Sequence, residues 1–268
     1  TQSRPCEKDE AAGVTAGKRN VILIFTDELR ADALGCFGNA VVQTPNIDRL
    51  SAEGVTYRDC MVTQATCTPS RASILTGVYP SALKSRMVGC NTPDDERFLP
   101  RVFRNTGYHT ASIGKIHLVP QKDECAVVES TRTGDEYDYY GFRHVDLVDG
   151  HGDRCHGNLY SPWVEDTVPG YREKRAGKKQ TRGGAGLHKR IRKWDYPAEV
   201  HSSNYIGARV TEFLKKSALK PEPFFLHVHF FDPHCPYDPE DTAVATVREA
   251  EFGPTDFGSD PVPTTGWD

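Results

Sequence analysis

Two short segments dominated by apolar side chains are the clearest pattern in this sequence. Residues 21–25 (VILIF) and 224–231 (FFLHVHFF) are rich in β-branched or aromatic side chains, and each ends at a cluster of polar residues. Continuous apolar runs are typical of parallel strands that are covered on both faces. We predict two further strands, over residues 108–113 and 55–62. The sequence therefore indicates a sheet whose strands end in polar segments.

Helical spacing separates these strands. One helix is predicted to begin after Thr44, with Pro45 in its first turn, and to end before Gly54. Others are predicted over residues 98–105 and 198–218. Strands that alternate with helices favour an α/β fold with a mostly parallel central sheet and helices on both faces.

Composition narrows the class of protein. The 268 residues suffice for one large α/β domain or two smaller ones. The net charge of −4 gives no indication of nucleic-acid binding, and no apolar run is long enough to cross a bilayer. There is no signal peptide, but the chain begins at Thr1 rather than Met. We expect a periplasmic or secreted protein if a leader was removed, and a cytoplasmic one otherwise. The eight cysteines contain no Cys-x-x-Cys pair, which indicates neither a compact disulfide scaffold nor a zinc ribbon. If one cysteine is chemically modified, seven remain and at least one is unpaired within the chain, which favours a reducing compartment.

Charge patterning divides the chain into three parts. Residues 1–19 form a polar tail, residues 20–240 the main domain, and residues 241–268 an irregular, Pro- and Gly-rich connection. A basic loop at about 171–194 is interpreted as a solvated surface loop, or alternatively as a positive rim that attracts a polyanion such as a sulfated glycan. Residues 151–156 hold four potential metal ligands, but their spacing fits no zinc pattern.

The segment Cys67-Thr68-Pro69-Ser70-Arg71 carries the most specific signal for chemistry. Pro69 suits the first turn of a helix, and Gly77 suits the left-handed residue that ends one. Cys67 and Arg71 are four residues apart, so they share a helix face one turn apart. A guanidinium and free N–H groups at a helix start favour an anion. The alternative is a buried cysteine in an ordinary helix.

Other candidates follow the predicted strands. Asp27 and Glu28 come directly after the first strand, where α/β sheets bind ligands, although acidic residues also favour the first turn of a helix. Lys115 and His117 follow the strand at 108–113 and are predicted to point the same way. His234 follows the last strand. Within that strand, His227 and His229 share a face, and we interpret both as packed core residues rather than catalytic ones.

These residues resemble the signature segments of one family. Cys67-x-Pro69-Ser70-Arg71, continued by Ala72-Ser73-x-Leu75-Thr76-Gly77, is similar to the type I sulfatase motif around the cysteine that a separate enzyme oxidises to formylglycine. Four further segments resemble the same family, namely residues 20–27, 44–50, 114–118 (GKIHL) and 232–237 (DPHCPY).

The resemblance implies a fold like that of the alkaline phosphatase superfamily and hydrolysis of a small-molecule or glycan sulfate ester. It implies a nucleophile derived from Cys67, a divalent metal, Ca²⁺ or alternatively Mg²⁺, and a formylglycine-generating or sulfatase-maturing enzyme as partner. The implied residues are, for the metal, Asp27, Glu28 and Cys67, and for catalysis Cys67, Arg71, Lys115, His117 and His234. Glu28 departs from the usual second metal ligand of the family.

Two alternatives remain open at this point. Phosphonate and phosphate ester hydrolases share the Cys-x-Pro-x-Arg turn. A non-catalytic anion-binding or glycan-binding protein is favoured by Glu28 and because the family's remaining metal ligands and second sulfate-binding lysine match no segment here. We expect that a further C-terminal portion supplies them. The sequence does not indicate an oligomeric state.

Overall fold

The centre of the protein is a four-stranded, fully parallel sheet, seen in a computed structural model that describes residues 17–148, 159–171, 173–174, 196–235 and 237. The strands are β1 (Val21–Thr26), β2 (His109–Gly114), β3 (His144–Leu147) and β4 (Phe224–Phe230). Their order in the sheet is β1-β4-β2-β3. The predicted parallel α/β architecture is confirmed.

Seven helices surround the sheet in the described residues. They are α1 (Pro45–Glu53), α2 (Cys67–Thr76), α3 (Pro80–Leu83), α4 (Leu99–Asn105), α5 (Gln121–Ser130), α6 (Tyr160–Thr167) and α7 (Ser202–Ser217). Three short 3₁₀ turns accompany them, at Ala31–Ala33, Gly35–Phe37 and Ala198–Val200. The predicted helix at 198–218 is therefore split into a 3₁₀ turn and α7. None of the described helices is long and apolar enough to cross a membrane.

Two apolar clusters pack against opposite faces of the sheet, and β4 contributes to both. Phe225 belongs to the cluster that contains side chains of α2 and α5, whereas Leu226 and Val228 belong to the one that contains side chains of α6 and α7. All three side chains are almost fully buried. Successive side chains of a strand point to opposite faces. The continuous apolar run of β4 thus reflects helices on both sides, as predicted.

The first strand differs from its predicted environment. Ile22 and Ile24 are 44% and 60% exposed, although the apolar run predicts a strand that is covered on both faces. β1 lies at the edge of the sheet and pairs with β4 alone. The edge position leaves one side of the β1 backbone unpaired, and the exposure of Ile22 and Ile24 shows separately that one face of β1 is open to solvent within the described residues.

The strand predicted over residues 55–62 is wrong. These residues form no regular element, and Val55, Tyr57 and Met61 are each more than three-quarters exposed. β-Branched and aromatic residues favour a strand only where a neighbouring strand accepts their backbone hydrogen bonds. In the described structure this segment has no such neighbour.

Several sequence-based predictions lie outside the described residues. These are most of the polar tail at 1–19, the segment at 151–156, most of the basic loop at 171–194 and the connection at 241–268. Of the cysteines, Cys125 in α5 is disulfide-bonded, whereas Cys36, Cys60, Cys67, Cys90 and Cys235 are not. The compartment stays a prediction.

A buried ion pair links β3 to α7, and we expect its loss to destabilise the fold without altering the pocket described below. Asp146 is fully buried, 2.5 Å from Arg209 Nε, and accepts a hydrogen bond from the Tyr205 hydroxyl at 3.2 Å. Asp146→Ala leaves Arg209 Nε and the Tyr205 hydroxyl without this acceptor, although Arg209 keeps Glu212, so the free energy of unfolding falls by about 2 kcal/mol. Urea denaturation measures the change. Glu212→Ala, which removes the exposed partner of the same arginine, is the control and costs less than about 1 kcal/mol; equal losses would contradict the prediction.

Candidate active site

A pocket of about 830 Å³ opens beyond the carboxyl ends of β1, β2 and β4. Parallel strands bring the segments that follow them to one edge of the sheet, which is where open α/β sheets bind ligands. The pocket is lined by every candidate predicted from the sequence, namely Asp27, Glu28, Cys67, Arg71, Lys115, His117 and His234. Residues as far apart in the chain as Asp27 and His234 therefore meet in one place.

Cys67 is the first residue of α2, as predicted. Its helix ends at Gly77, whose φ of 69° is left-handed and whose N–H donates to the carbonyl of Ser73 at 2.7 Å. Arg71 lies one turn after Cys67 on the same helix, and both side chains line the pocket. The start of a helix carries partial positive charge, so α2 directs that charge and a guanidinium at the same space.

Two cations converge on one carboxylate at the floor of the pocket. Lys115 Nζ donates to Asp27 Oδ2 at 2.6 Å, and Arg71 Nη2 lies 3.1 Å from the same oxygen. The three side chains are at most 10% exposed. Burial alone raises the pKa of Asp27, but Arg71 and Lys115 outweigh it and hold that pKa below its ordinary value. Asp27 is therefore an anion, and the trio keeps a net charge of +1.

The approach of β2 to β4 sets the position of Lys115. The Lys115 N–H donates to the carbonyl of His229 at 3.2 Å. The preceding residue, Gly114, has a φ of 104°, and a Cβ there would lie 2.0 Å from the same carbonyl oxygen. Lys115 Nζ also lies 4.4 Å above the ring of Phe231, a favourable cation–π arrangement.

The histidines of β4 are buried as predicted, and one of them contacts the predicted catalytic residues. His227 and His229 are both 3% exposed. His227 Nδ1 lies 2.9 Å from the hydroxyl of Ser112, but His229 places both ring nitrogens 2.8 Å from the guanidinium of Arg71. The sequence interpretation missed this contact. Its only signal is that His229 lies next to the end of a strand whose end forms the site.

His117 is held in an unusual conformation. Its φ is 57°, in the left-handed region, and its side chain is almost fully buried. Neither ring nitrogen has a hydrogen-bond partner among the described residues. Burial first, and then the positive charges of Lys115 and Arg71, lower the pKa of His117 to about 3. The ring is therefore neutral at pH 7 and has an open proton-accepting position.

Three neutral histidines at this edge of the sheet predict that acid destabilises the fold. Burial lowers the pKa of His117 and His227 to about 3 and that of His229 well below 6.5. Above pH 6.5 all three are neutral in both states. As the pH falls towards 3, the unfolded chain binds protons that the folded chain does not. Each of the three histidines therefore lowers the free energy of unfolding by up to about 1.4 kcal/mol for each pH unit.

Urea denaturation at pH 7 and pH 5 tests this expectation. His227→Gln removes one of the three groups, so the variant loses less stability between the two pH values than the wild type does. An identical loss in both proteins would show that buried His227 does not contribute to the pH dependence.

The second predicted metal ligand, Glu28, turns towards the rim of the pocket. Its backbone is left-handed, with a φ of 61°, and its Oε1 lies 3.5 Å from His234 Nε2. Among the described residues, one group of three or more potential metal ligands lies within mutual distances of 4.8 Å, and it consists of Glu28, His234 and Cys235. Asp27 is not in that group.

A divalent cation fits the donor chemistry of Asp27. Its carboxylate is buried at the floor of the pocket, and carboxylate oxygens are the ligands that hard cations prefer. Lys115 and Arg71 already contact its Oδ2 atom. A cation at Asp27 would share the carboxylate with these two residues and needs further oxygen ligands to complete its shell.

Curated relatives are mostly sulfatases. An arylsulfatase from Clostridium perfringens is 32% identical over 233 residues, which is 83% of this chain and 44% of the relative. The multifunctional alkaline phosphatase superfamily protein PehA from Trinickia caryophylli is 32% identical over 243 residues, 82% of this chain and 43% of the relative. The chain thus spans less than half the length of these two relatives.

Solved structures support the fold. The phosphonate monoester hydrolase of Agrobacterium radiobacter superposes with a TM-score of 0.63 at 24% identity, over 88% of this chain and 45% of that one. Ps i-CgsB in complex with k-i-k-neocarrahexaose superposes with a TM-score of 0.60, also at 24% identity, over 90% of this chain and 50% of that one. The chain therefore shares the fold of these two proteins. The sequence model of the family described as Sulfatase matches residues 19–256, so this chain belongs to the sulfatase family.

Proposed function

We propose that the protein hydrolyses sulfate monoesters, with a nucleophile derived from Cys67. The observation that carries the proposal is the pocket, which gathers Cys67, Arg71, Lys115, His117 and His234 around one buried carboxylate. Its net positive charge suits an anionic ester, and its cysteine lies at a helix start. Sulfatases generally use formylglycine and a divalent metal.

The chain's own residues suit the steps of this reaction. As a hydrated aldehyde, residue 67 would supply one hydroxyl to attack sulfur and another to expel sulfate afterwards. Arg71 and Lys115 offset the negative charge of the sulfate oxygens. His117, neutral and with both ring nitrogens unpartnered, accepts a proton as sulfate leaves. His234, at the rim beside Glu28, donates a proton to the departing alcohol oxygen.

The metal proposed here is Ca²⁺, with Mg²⁺ as the alternative. Asp27 would hold it together with Glu28 and residue 67, and it would draw charge from a sulfate oxygen. A Ca²⁺ shell takes six to eight oxygen ligands. The remaining ligands would come from a part of the protein beyond the described residues.

The substrate class proposed is a sulfated small molecule or glycan. The name of PehA and the phosphonate monoester hydrolase fold favour a second candidate, a phosphonate or phosphate ester hydrolase. Turnover of an aryl sulfate and of the matching aryl phosphonate by the same preparation separates the two. We expect the higher kcat/KM with the sulfate; a higher value with the phosphonate would favour the second candidate.

The mass of the proteolytic peptide that contains residue 67 tests the nucleophile directly. The whole protein is made in a host that carries a formylglycine-generating enzyme and modifies a control sulfatase. We expect a mass that matches an aldehyde in place of the thiol. An intact thiol, together with no turnover of either ester, would instead favour a non-catalytic anion-binding or glycan-binding protein.

A further inference from the structure

Arg71 is a buried cation of the pocket with few hydrogen-bond acceptors around it. Its side chain is 10% exposed. Its Nη2 contacts Asp27 at 3.1 Å, and its Nη1 reaches the carbonyl of Lys115 only at 3.4 Å. Its Nε has no hydrogen-bond partner in the described structure. Asp27 is shared with Lys115, so these contacts alone leave the buried guanidinium with few acceptors.

His229 supplies what these contacts lack. Its Nδ1 lies 2.8 Å from Arg71 Nη1 and its Nε2 lies 2.8 Å from Arg71 Nη2. A neutral imidazole has one nitrogen that accepts and one that donates, so one of these two nitrogens accepts from the guanidinium. The ring cannot swing away, because it is buried and stacks on Phe25 with 5.7 Å between the ring centroids.

The charge of His229 matters as much as its position. A carboxylate at this place would hold Arg71 just as closely but would cancel its charge. Together with Asp27 it would set two anions against the two cations Arg71 and Lys115. Burial and the neighbouring cations, Arg71 first, lower the pKa of His229, so the ring stays neutral. An uncharged acceptor fixes the guanidinium and leaves its charge available to a bound anion.

We infer that His229 is a positioning residue for Arg71: it orients the guanidinium towards the anion-binding space of the pocket without neutralising it. This inference rests on the proposed function for its effect on turnover, but not for its effect on anion binding. His229 acts through Arg71 and is not assigned a contact with the substrate.

Three substitutions in the whole protein separate these contributions. His229→Gln keeps a neutral acceptor, His229→Phe keeps a ring without one, and His229→Glu supplies a charged acceptor. The measurements are the Kd of inorganic sulfate by calorimetry and kcat and KM for an aryl sulfate. We expect the Kd of sulfate and the kcat/KM of His229→Gln to stay within about tenfold of the wild-type values. His229→Phe lowers kcat/KM by about 100-fold because the guanidinium is misplaced.

His229→Glu distinguishes charge from position. We expect it to raise the Kd of sulfate by more than about tenfold, although its melting temperature stays near that of the wild type. The control is His109→Gln. His109 stacks on Phe213 outside the pocket, so this variant should bind sulfate and turn over the ester like the wild type.

The outcomes are distinguishable. Turnover and sulfate binding by His229→Phe at wild-type level would overturn the role of His229 and leave the proposed function intact. If His229→Gln were as defective as His229→Phe, the role of His229 would also be overturned, because a neutral hydrogen-bond acceptor at position 229 would then make no difference. A wild type that binds sulfate in a His229-dependent way but hydrolyses no sulfate ester would overturn the proposed function alone. A wild type that neither binds nor hydrolyses would overturn both.

Discussion

Cys67→Ala is expected to lower kcat for an aryl sulfate by at least about 10⁴-fold, because it removes the nucleophile and any formylglycine derived from it. Arg71, Lys115 and Asp27 keep their contacts with one another in this variant. Binding of inorganic sulfate should therefore persist. Steady-state kinetics measures the loss of kcat, and calorimetry measures the retained affinity.

A second cysteine provides the matched control for this experiment. Cys60 is exposed and lies outside the pocket, so Cys60→Ala should turn over substrate like the wild type. Comparable turnover by both variants would show that residue 67 is not the nucleophile. If Cys67→Ala lost both sulfate binding and turnover, the result would instead indicate that the substitution disturbs α2.

Asp27→Asn is expected to destabilise the fold by about 3 kcal/mol and to lower turnover as well. The substitution keeps the shape of the side chain but leaves Lys115 and Arg71, both almost completely buried, without their shared anion. Removing one partner of a buried ion pair costs this much because the remaining charge stays desolvated. Urea denaturation in the presence of a chelator measures the loss without a contribution from metal binding.

The neighbouring Asp32 is a suitable control. It pairs with Arg30 at the surface, where the two side chains are 64% and 63% exposed. Asp32→Asn should leave the free energy of unfolding almost unchanged, because an exposed ion pair contributes little to stability. If Asp27→Asn were no more destabilising than Asp32→Asn, the buried trio would not contribute to stability.

Much of the site was predictable because its residues follow strands or begin a helix. Asp27 and Lys115 come after predicted strands, and in a parallel sheet the ends of those strands meet at one edge. Cys67 and Arg71 are tied by helical spacing, which needs no tertiary information. The family motifs then assigned roles that spacing alone left open.

What the sequence did not predict depends on tertiary neighbours. The contact of His229 with Arg71 joins residues 158 positions apart. Only its place nearer the end of β4 distinguishes His229 from His227, which contacts Ser112 instead. The segment 55–62 has the composition of a strand but no partner in the described residues. Edge position likewise depends on strand order, which the apolar run of β1 does not encode.

The close approach at Gly114 limits how this part of the sequence can vary. A Cβ at this position would lie 2.0 Å from the backbone oxygen of His229, and backbone atoms cannot rotate away as a flexible side chain can. The left-handed φ of 104° disfavours other residues independently. In a saturation library selected for activity, we would therefore find glycine alone at position 114, whereas the exposed position of Ile24 would accept many residues. Exposed positions of β1 such as Ile24 are thus open to variation, whereas the junction that sets the position of Lys115 is closed to it.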